Sequence, residues 1–239
     1  MRVFHADLHI HTCLSPCAER EMSPCNIVRL SKERRLDVIA ICDHNSAENV
    51  LATRRAAEKV GLTVIGGMEI TTQEEVHMLG LFADNSSLAA AQNLVYAHLS
   101  GENEPEIFGE QLVMDDEDRV IDRHRRLLIG ATDLTLDEVV QNIHNFGGIA
   151  IASHVDRPSF SITSQLGFIP DGLELDGIEV SSWSALPLPG HLPVICSSDA
   201  HRPEEIGTEY TRFFLEVPTV SEIRMALKQI GGRRVLVEG

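Results

Sequence analysis

The residues best suited to chemistry in this 239-residue chain begin with Asp7-Leu8-His9-Ile10-His11-Thr12. The stretch follows an apolar start at Val3-Phe4 and reads as the end of a strand, where side chains two apart share a face. His9 and His11 then point together, with Asp7 on their side and Leu8 and Ile10 opposite. Two imidazoles at that spacing can grip one metal ion, and a neighbouring carboxylate can orient a ring. An isolated His-x-His can equally be a polar strand end, so the remaining chain decides. Asp199-Ala200-His201 repeats the spacing, and Asp43-His44, Glu69 and His154 each end an apolar run. In a barrel of parallel strands such ends converge on one face. That coincidence of residue type and position points to a polynuclear metal centre. Clustered divalent ions bring the pKa of a water toward neutrality, so hydrolysis is the chemistry such a centre does. His5, His98, His124, His144 and His191 lack this placement and read as structural or solvent histidines.

The elements that must position these residues alternate between strand and helix. Residues 37–42 form a continuous apolar strand, as expected when both faces are buried. A helix over 47–60, closed by Gly61, leads to a strand over 62–68 that ends in Glu69. The strand over 76–82 follows too soon for a crossover helix, so it is no simple parallel neighbour. Residues 85–132 break the rhythm and read as a helical insertion over one mouth of the fold. Within it Arg119, Arg123, Arg125 and Arg126 form the basic cluster, set against Asp115, Asp116, Glu117, Asp118 and Asp122 as a solvated helix face, the alternative being that one or two of them meet an anionic substrate. Thr135 to Glu138 has the capping-box pattern. Short strands follow at 149–152, 177–180, 193–196 and 213–217, then a helix from Thr219 and a strand at 235–237. No linker splits the chain, so one α/β domain over 1–239 is expected.

Charge narrows the partners. The formal net charge is −16, the isoelectric point is near 5.0, and the lysines are Lys32, Lys59 and Lys228 alone. This argues against holding long duplex nucleic acid on a broad basic face, but not against a short or single nucleotide held through metal ions. No apolar run reaches membrane-spanning length and no charged-then-apolar segment precedes the first strand. A cytoplasmic protein without a membrane partner is expected. Five cysteines, an odd number, make a disulfide framework unexpected.

Asp7-Leu8-His9-Ile10-His11-Thr12 followed by Ser15 resembles the first motif of the polymerase and histidinol phosphatase (PHP) family. So do Cys42-Asp43-His44, Gly67-Met68-Glu69, His77 with Gly80, Ser153-His154 and Ser198-Asp199-Ala200-His201, in matching order. The resemblance implies a distorted (β/α)7 TIM-like barrel carrying two or three divalent ions (Mn, Zn or Fe) and hydrolysing phosphate esters. It implies that His9, His11, Glu69 and Asp199 hold one ion, His44 and His201 a second, and Glu69, His77 and His154 a third, with Asp7 and Asp43 behind the ligands. Where relatives supply a further ligand just after the serine, this chain has Pro16 and Cys17. Cys17 could ligate as a thiolate and favour zinc, Glu19 could reach in, or the second site could be weak. His201, Asp43 or a water could protonate the leaving group, and Arg157 and Arg202 could meet a substrate phosphate. The branch most resembled implies 3′,5′-bisphosphonucleosides or short 5′-phosphorylated RNA as substrates. Two rivals remain: an amidohydrolase-type barrel, which often needs a bridging modified lysine, and a metal-binding module without turnover.

Overall fold

The computed structural model describes residues 1–185 and 191–236. In chain order the first elements are β1 (Arg2–Ile10), α1 (Pro24–Glu33), β2 (Val38–Ile41), α2 (Val50–Glu58), β3 (Thr63–Thr71), β4 (His77–Phe82) and α3 (Asn85–His98). Next come α4 (Pro105–Phe108), β5 (Leu112–Met114), β6 (Val120–Arg123), α5 (Leu136–Asn145), β7 (Ile149–Ala152), α6 (Ile162–Leu166) and β8 (Gly177–Val180). The chain ends with β9 (Val194–Cys196), β10 (Thr211–Leu215), α7 (Val220–Leu227) and β11 (Arg234–Leu236). Val237, expected in the last strand, lies outside the described residues.

The main sheet runs β11-β10-β1-β2-β3-β4-β7-β8-β9. Beyond β9 the chain returns to β1, where Ile10 bridges Ala200 and the His11 N–H donates to the Ala200 carbonyl at 3.0 Å. The strands from β1 round to β9 therefore nearly close a barrel, as expected. β10 and β11 extend it from the other half of β1, over Arg2–Ala6. β4 is antiparallel to both β3 and β7. A strand that reverses brings its first residue, His77, to the face where its parallel neighbours end.

Two apolar layers support that face. Val38, Ala40, Cys42, Leu79, Leu81, Ile149, Ile151 and Ile195 pack with α7 inside the barrel. Ile39, Ile41, Met68, Met78 and Phe82 pack outward on α1, α2, α3 and α5. Alternation along β3 then puts Glu69 inside with Ile65, and along β4 puts His77 inside with Leu79. β1 breaks this alternation. Its pairing with β2 shifts register between Asp7 and Ile10, a β-bulge. Leu8 consequently packs in the inner layer with Phe4 and Ala6, while Ile10 packs outward. The expectation that Asp7, His9 and His11 share one face is thus corrected: the bulge re-aims His9 and His11 and leaves Asp7 behind them.

The insertion differs from the sequence expectation too. Only its first half is mainly helical, in α3 and α4, and the charged segment is a β5–β6 hairpin. Its turn explains this. Asp115 Oδ1 accepts from the N–H groups of Glu117 and Arg119, and Asp118 has φ 60°, so local aspartate bonding outcompetes helix. Arg119 pairs with Asp115 and Glu117, and Arg123 with Glu110. Among the described residues no helix is long and apolar enough to cross a membrane.

Candidate metal centre

Strand ends set the geometry. His9 and His11 follow the β1 bulge, Glu69 sits inside β3, His77 opens β4, and His44, His154 and Asp199 lie just past β2, β7 and β9. Asn45, His154 and Asp199 have φ of 50°, 30° and 49°. Left-handed backbone at non-glycine residues costs on the order of 1–3 kcal/mol each, and here it clusters around one site.

Side chains converge on two carboxylates. His9 Nε2 and His11 Nε2 are 3.0 Å apart, and 3.2 and 3.0 Å from Asp199 Oδ1. Glu69 Oε1 lies 3.5 Å from His9, 3.0 Å from His77 Nδ1 and 3.2 Å from His154 Nε2. Glu69 Oε2 lies 3.4 Å from His11 Nε2 and 3.1 Å from His44 Nδ1. Three overlapping sets could each hold an ion: His9, His11, Glu69 and Asp199; His11, His44 and His201; and His44, Glu69 and His77. Donors that share one ion at about 2.0–2.2 Å stand roughly 3.0–3.5 Å apart, the spacing seen here. His44 Nδ1, His77 Nδ1 and Asp199 Oδ1 are buried with no hydrogen-bond partner. His44 Nδ1 and His77 Nδ1 are close to Glu69 but not aligned with it. Buried polar atoms are normally satisfied, so lone pairs aimed together without donors fit divalent cations.

Electrostatics agree. Burial would raise Glu69 and Asp199, but the charge of His77 and His9 on the first, and of His9 and His11 on the second, hold both well below the usual carboxylate range. Burial would lower His11, yet the adjacent carboxylates of Asp199 and Glu69 lift it to about 9. Burial and the charge of His11 oppose protonation of His44, but Cys17 and Glu69 outweigh them and raise it to about 9. His201 goes the other way, pushed down to about 3 by burial and by His11. Burial likewise lowers His77 despite Glu69.

The other sequence candidates surround this core. Asp7 is buried and accepts from the Ser198 N–H and Oγ and from the Gly207 N–H, so it ties β1 to the segment between β9 and β10 and orients no imidazole. Asp43 accepts from the Thr12 N–H and Oγ and from Ser15 Oγ, which also meets His11 Nδ1 at 2.9 Å. It stands behind His11 and does not enter the three ligand sets. Cys17 is exposed, touches His44, and belongs to none of the three sets. Glu19 pairs with Arg202 at 3.5 Å instead of reaching in. That bond turns Arg202 toward an acid, and Arg157 meets Asp199 Oδ2. Lys59 and Lys228 pair with Asp116 and Asp176, and Lys32 lies on α1, so the lysine bridge of an amidohydrolase has no source.

One functional residue escaped the sequence reading. Glu179, on β8, is buried and accepts from His9 Nδ1 at 2.9 Å and from the His154 N–H at 3.3 Å. It orients His9 in the way first expected of Asp7. Its signal was a lone acid in the apolar strand 177–180, placed on the inward face.

The PHP domain family model matches residues 7–214. An uncharacterized protein of Methanocaldococcus jannaschii is 27% identical over 183 residues, 73% of this chain and 80% of that one. A 5′-3′ exoribonuclease of Haemophilus influenzae is 32% identical over 83 residues, 34% of this chain and 29% of its own length. The lesion-specific endonuclease EndoQ of Pyrococcus furiosus superimposes with a TM-score of 0.71 at 21% identity, over 98% of this chain and 57% of that one. Endonuclease Q with a 27-mer duplex substrate, an abasic lesion at its active site, gives 0.72 at 19% identity, over 97% and 58%. The chain thus spans less than two thirds of the exoribonuclease and of both endonuclease chains. With the family model covering most of its length and the histidine–carboxylate centre standing where those motifs fall, the chain belongs to the PHP domain family.

Proposed function

We propose that the chain hydrolyses phosphate esters of nucleotides, with 3′,5′-bisphosphonucleosides and short 5′-phosphorylated RNA as the favoured substrates. The observation that carries this is the set of buried, unpartnered ligand atoms arranged around Glu69 and Asp199. His9, His11, Glu69 and Asp199 would hold one ion, His11 or His44 with His201 a second, and His44, Glu69, His77 and His154 a third. Divalent ions there supply an activated water and neutralise charge building on phosphate oxygens. The chain's own groups do the rest. Glu179 fixes His9, and the Asp43–Ser15 pair fixes His11. His201 Nδ1–H donates to the Asp199 carbonyl at 2.9 Å, which leaves Nε2 as a lone pair suited to ligation rather than to proton donation. The proton for the leaving oxygen then comes from solvent. Arg157, half-exposed beside Asp199, can swing to a phosphate at the mouth. The relatives with printed activities include an exoribonuclease and an endonuclease seen with duplex DNA, so the acidity of this chain does not by itself restrict it to single nucleotides.

The test is metal analysis joined to a hydrolysis screen of bisphosphonucleosides, histidinol phosphate, 5′-phosphorylated RNA and duplex DNA with an abasic site. Phosphate-ester cleavage should need Mn, Zn or Fe, stop on chelation, and fall at least about 1000-fold in Asp199→Ala or His154→Ala, the scale of losing an essential catalytic group. Fewer than two bound ions and no cleavage under any loading would sink the reading.

A further inference from the structure

We propose that Phe160 is the platform on which the substrate's nucleobase stacks, making it the residue that selects nucleoside esters over alkyl phosphates. The inference rests on the nucleotide reading above. Phe160 lies in the loop between β7 and α6, and its ring stacks on the His77 imidazole, centroids 4.8 Å apart and planes 17° from parallel. Its residue is nonetheless 43% exposed. One face of the ring therefore covers a candidate metal ligand while part of the side chain remains open at the mouth. A large apolar ring gains by burial, and nothing in the fold buries this one.

The backbone holds it there at a cost. Phe160 has φ 55°, a left-handed conformation that is an outlier for a bulky side chain. The loop enforces it from both sides. The His77 N–H donates to the Phe160 carbonyl at 2.9 Å. Ser161 Oγ donates to the Arg157 carbonyl at 2.7 Å and caps α6. Strain of this kind persists when surroundings over-determine it, and it collects at ligand-binding positions. Arg157, three residues earlier in the same loop, pairs with Asp199, the second carboxylate of the centre. One short loop thus carries a cation beside the site where phosphate would lie and, stacked on His77, the aromatic ring of a partly exposed residue. That pairing suits an ester whose leaving group bears a flat ring, because base–aromatic stacking tolerates any base.

The experiment compares wild type with Phe160→Ala, Phe160→Asn and Phe160→Trp on a nucleoside 3′,5′-bisphosphate and on glycerol phosphate. kcat/KM for the nucleotide should fall about tenfold in the Ala and Asn variants, chiefly through KM, with glycerol phosphate unchanged. The Trp variant should keep the preference. Asn accepts positive φ, so its melting temperature should match or exceed wild type, separating loss of the ring from loss of fold. Equal losses on both esters would show that the ring only shields His77, and no loss on either would remove any role; both overturn the proposal. Saturation-transfer NMR with free adenosine reads the platform without turnover. Transfer to adenine protons that vanishes in Phe160→Asn supports it, and absent transfer in wild type overturns it. If no ester is cleaved by wild type, the phosphoesterase reading fails while the adenosine result still decides the platform.

Discussion

At the scale of single residues, the centre is a balance between buried imidazoles and carboxylates, and Glu179 is its least obvious member. Its Oε2 takes the His9 Nδ1–H, which leaves His9 Nε2 as the lone pair facing Asp199. Its Oε1 is buried without a partner. A carboxylate behind a ligating histidine fixes the tautomer and raises ligand basicity, and its loss typically weakens metal affinity about 10- to 100-fold. Glu179→Gln should therefore lower affinity in that range, measured by competition with a chelator, while circular dichroism stays native. Unchanged affinity would mean that Glu179 serves only the β7–β8 loop. Ser15 does similar work for His11, with Asp43 as its anchor.

Between elements, the decisive contacts are close approaches that admit no side chain. Gly67 on β3 would place a Cβ 2.8 Å from Cys42 Sγ and 2.8 Å from the Gly80 carbonyl oxygen, which keeps β2, β3 and β4 tight beneath Glu69. Gly109 follows α4 with φ 104°, and a Cβ there would sit 2.2 Å from the Pro16 carbonyl oxygen. This contact presses the insertion onto the loop between Ser15 and Cys17, next to His44. Asn45 adds a second clasp, donating to the carbonyls of Leu128 and Gly130 at 2.8 Å each. Gly109→Ala should cost about 1–3 kcal/mol, from strain and overpacking together, lowering the melting temperature by roughly 2–12 °C. It should also change the rate at which a thiol reagent labels exposed Cys17. A variant that melts and labels like wild type would refute this account of the contact.

For the molecule as a whole, metal, protons and stability are linked. His11 and His44 have folded values of about 9, above the ordinary 6.5. In chelated protein their stabilising contribution is complete below about pH 6.5 and is lost as pH rises through about 9. The melting temperature without metal should fall over that window. Ligands must be deprotonated to bind, so loading at pH 7.5 should release protons and affinity should climb toward pH 9. Calorimetry in two buffers of different ionisation enthalpy measures the release directly. Loading should also raise the melting temperature, since an ion that binds only the folded state stabilises it by about 2.7 kcal/mol at 100 times its Kd. A melting temperature flat with pH and binding without proton release would contradict the linkage.

Much of this was legible in the chain itself. His9, His11, His44, Glu69, His154, Asp199 and His201 stood at ends of apolar runs, because a barrel buries its strands on both sides and leaves chemistry for their tips. The short gap before His77 spoke against a simple parallel neighbour, since a parallel partner needs a crossover. Other features depended on the tertiary structure. The β1 bulge was invisible because a one-residue register shift is fixed by pairing with β2, not by local composition. The charged hairpin was misread as helix because aspartates bonding their own backbone look like any acidic run. Glu179, Asp43 and Phe160 acquired roles from partners as far as 170 residues away in sequence, as between His9 and Glu179. The sequence determined which groups could hold metal, because residue type and strand periodicity are local. Only the folded chain decided which carboxylate orients which imidazole and which ring stays open at the mouth, because those depend on contacts between distant segments.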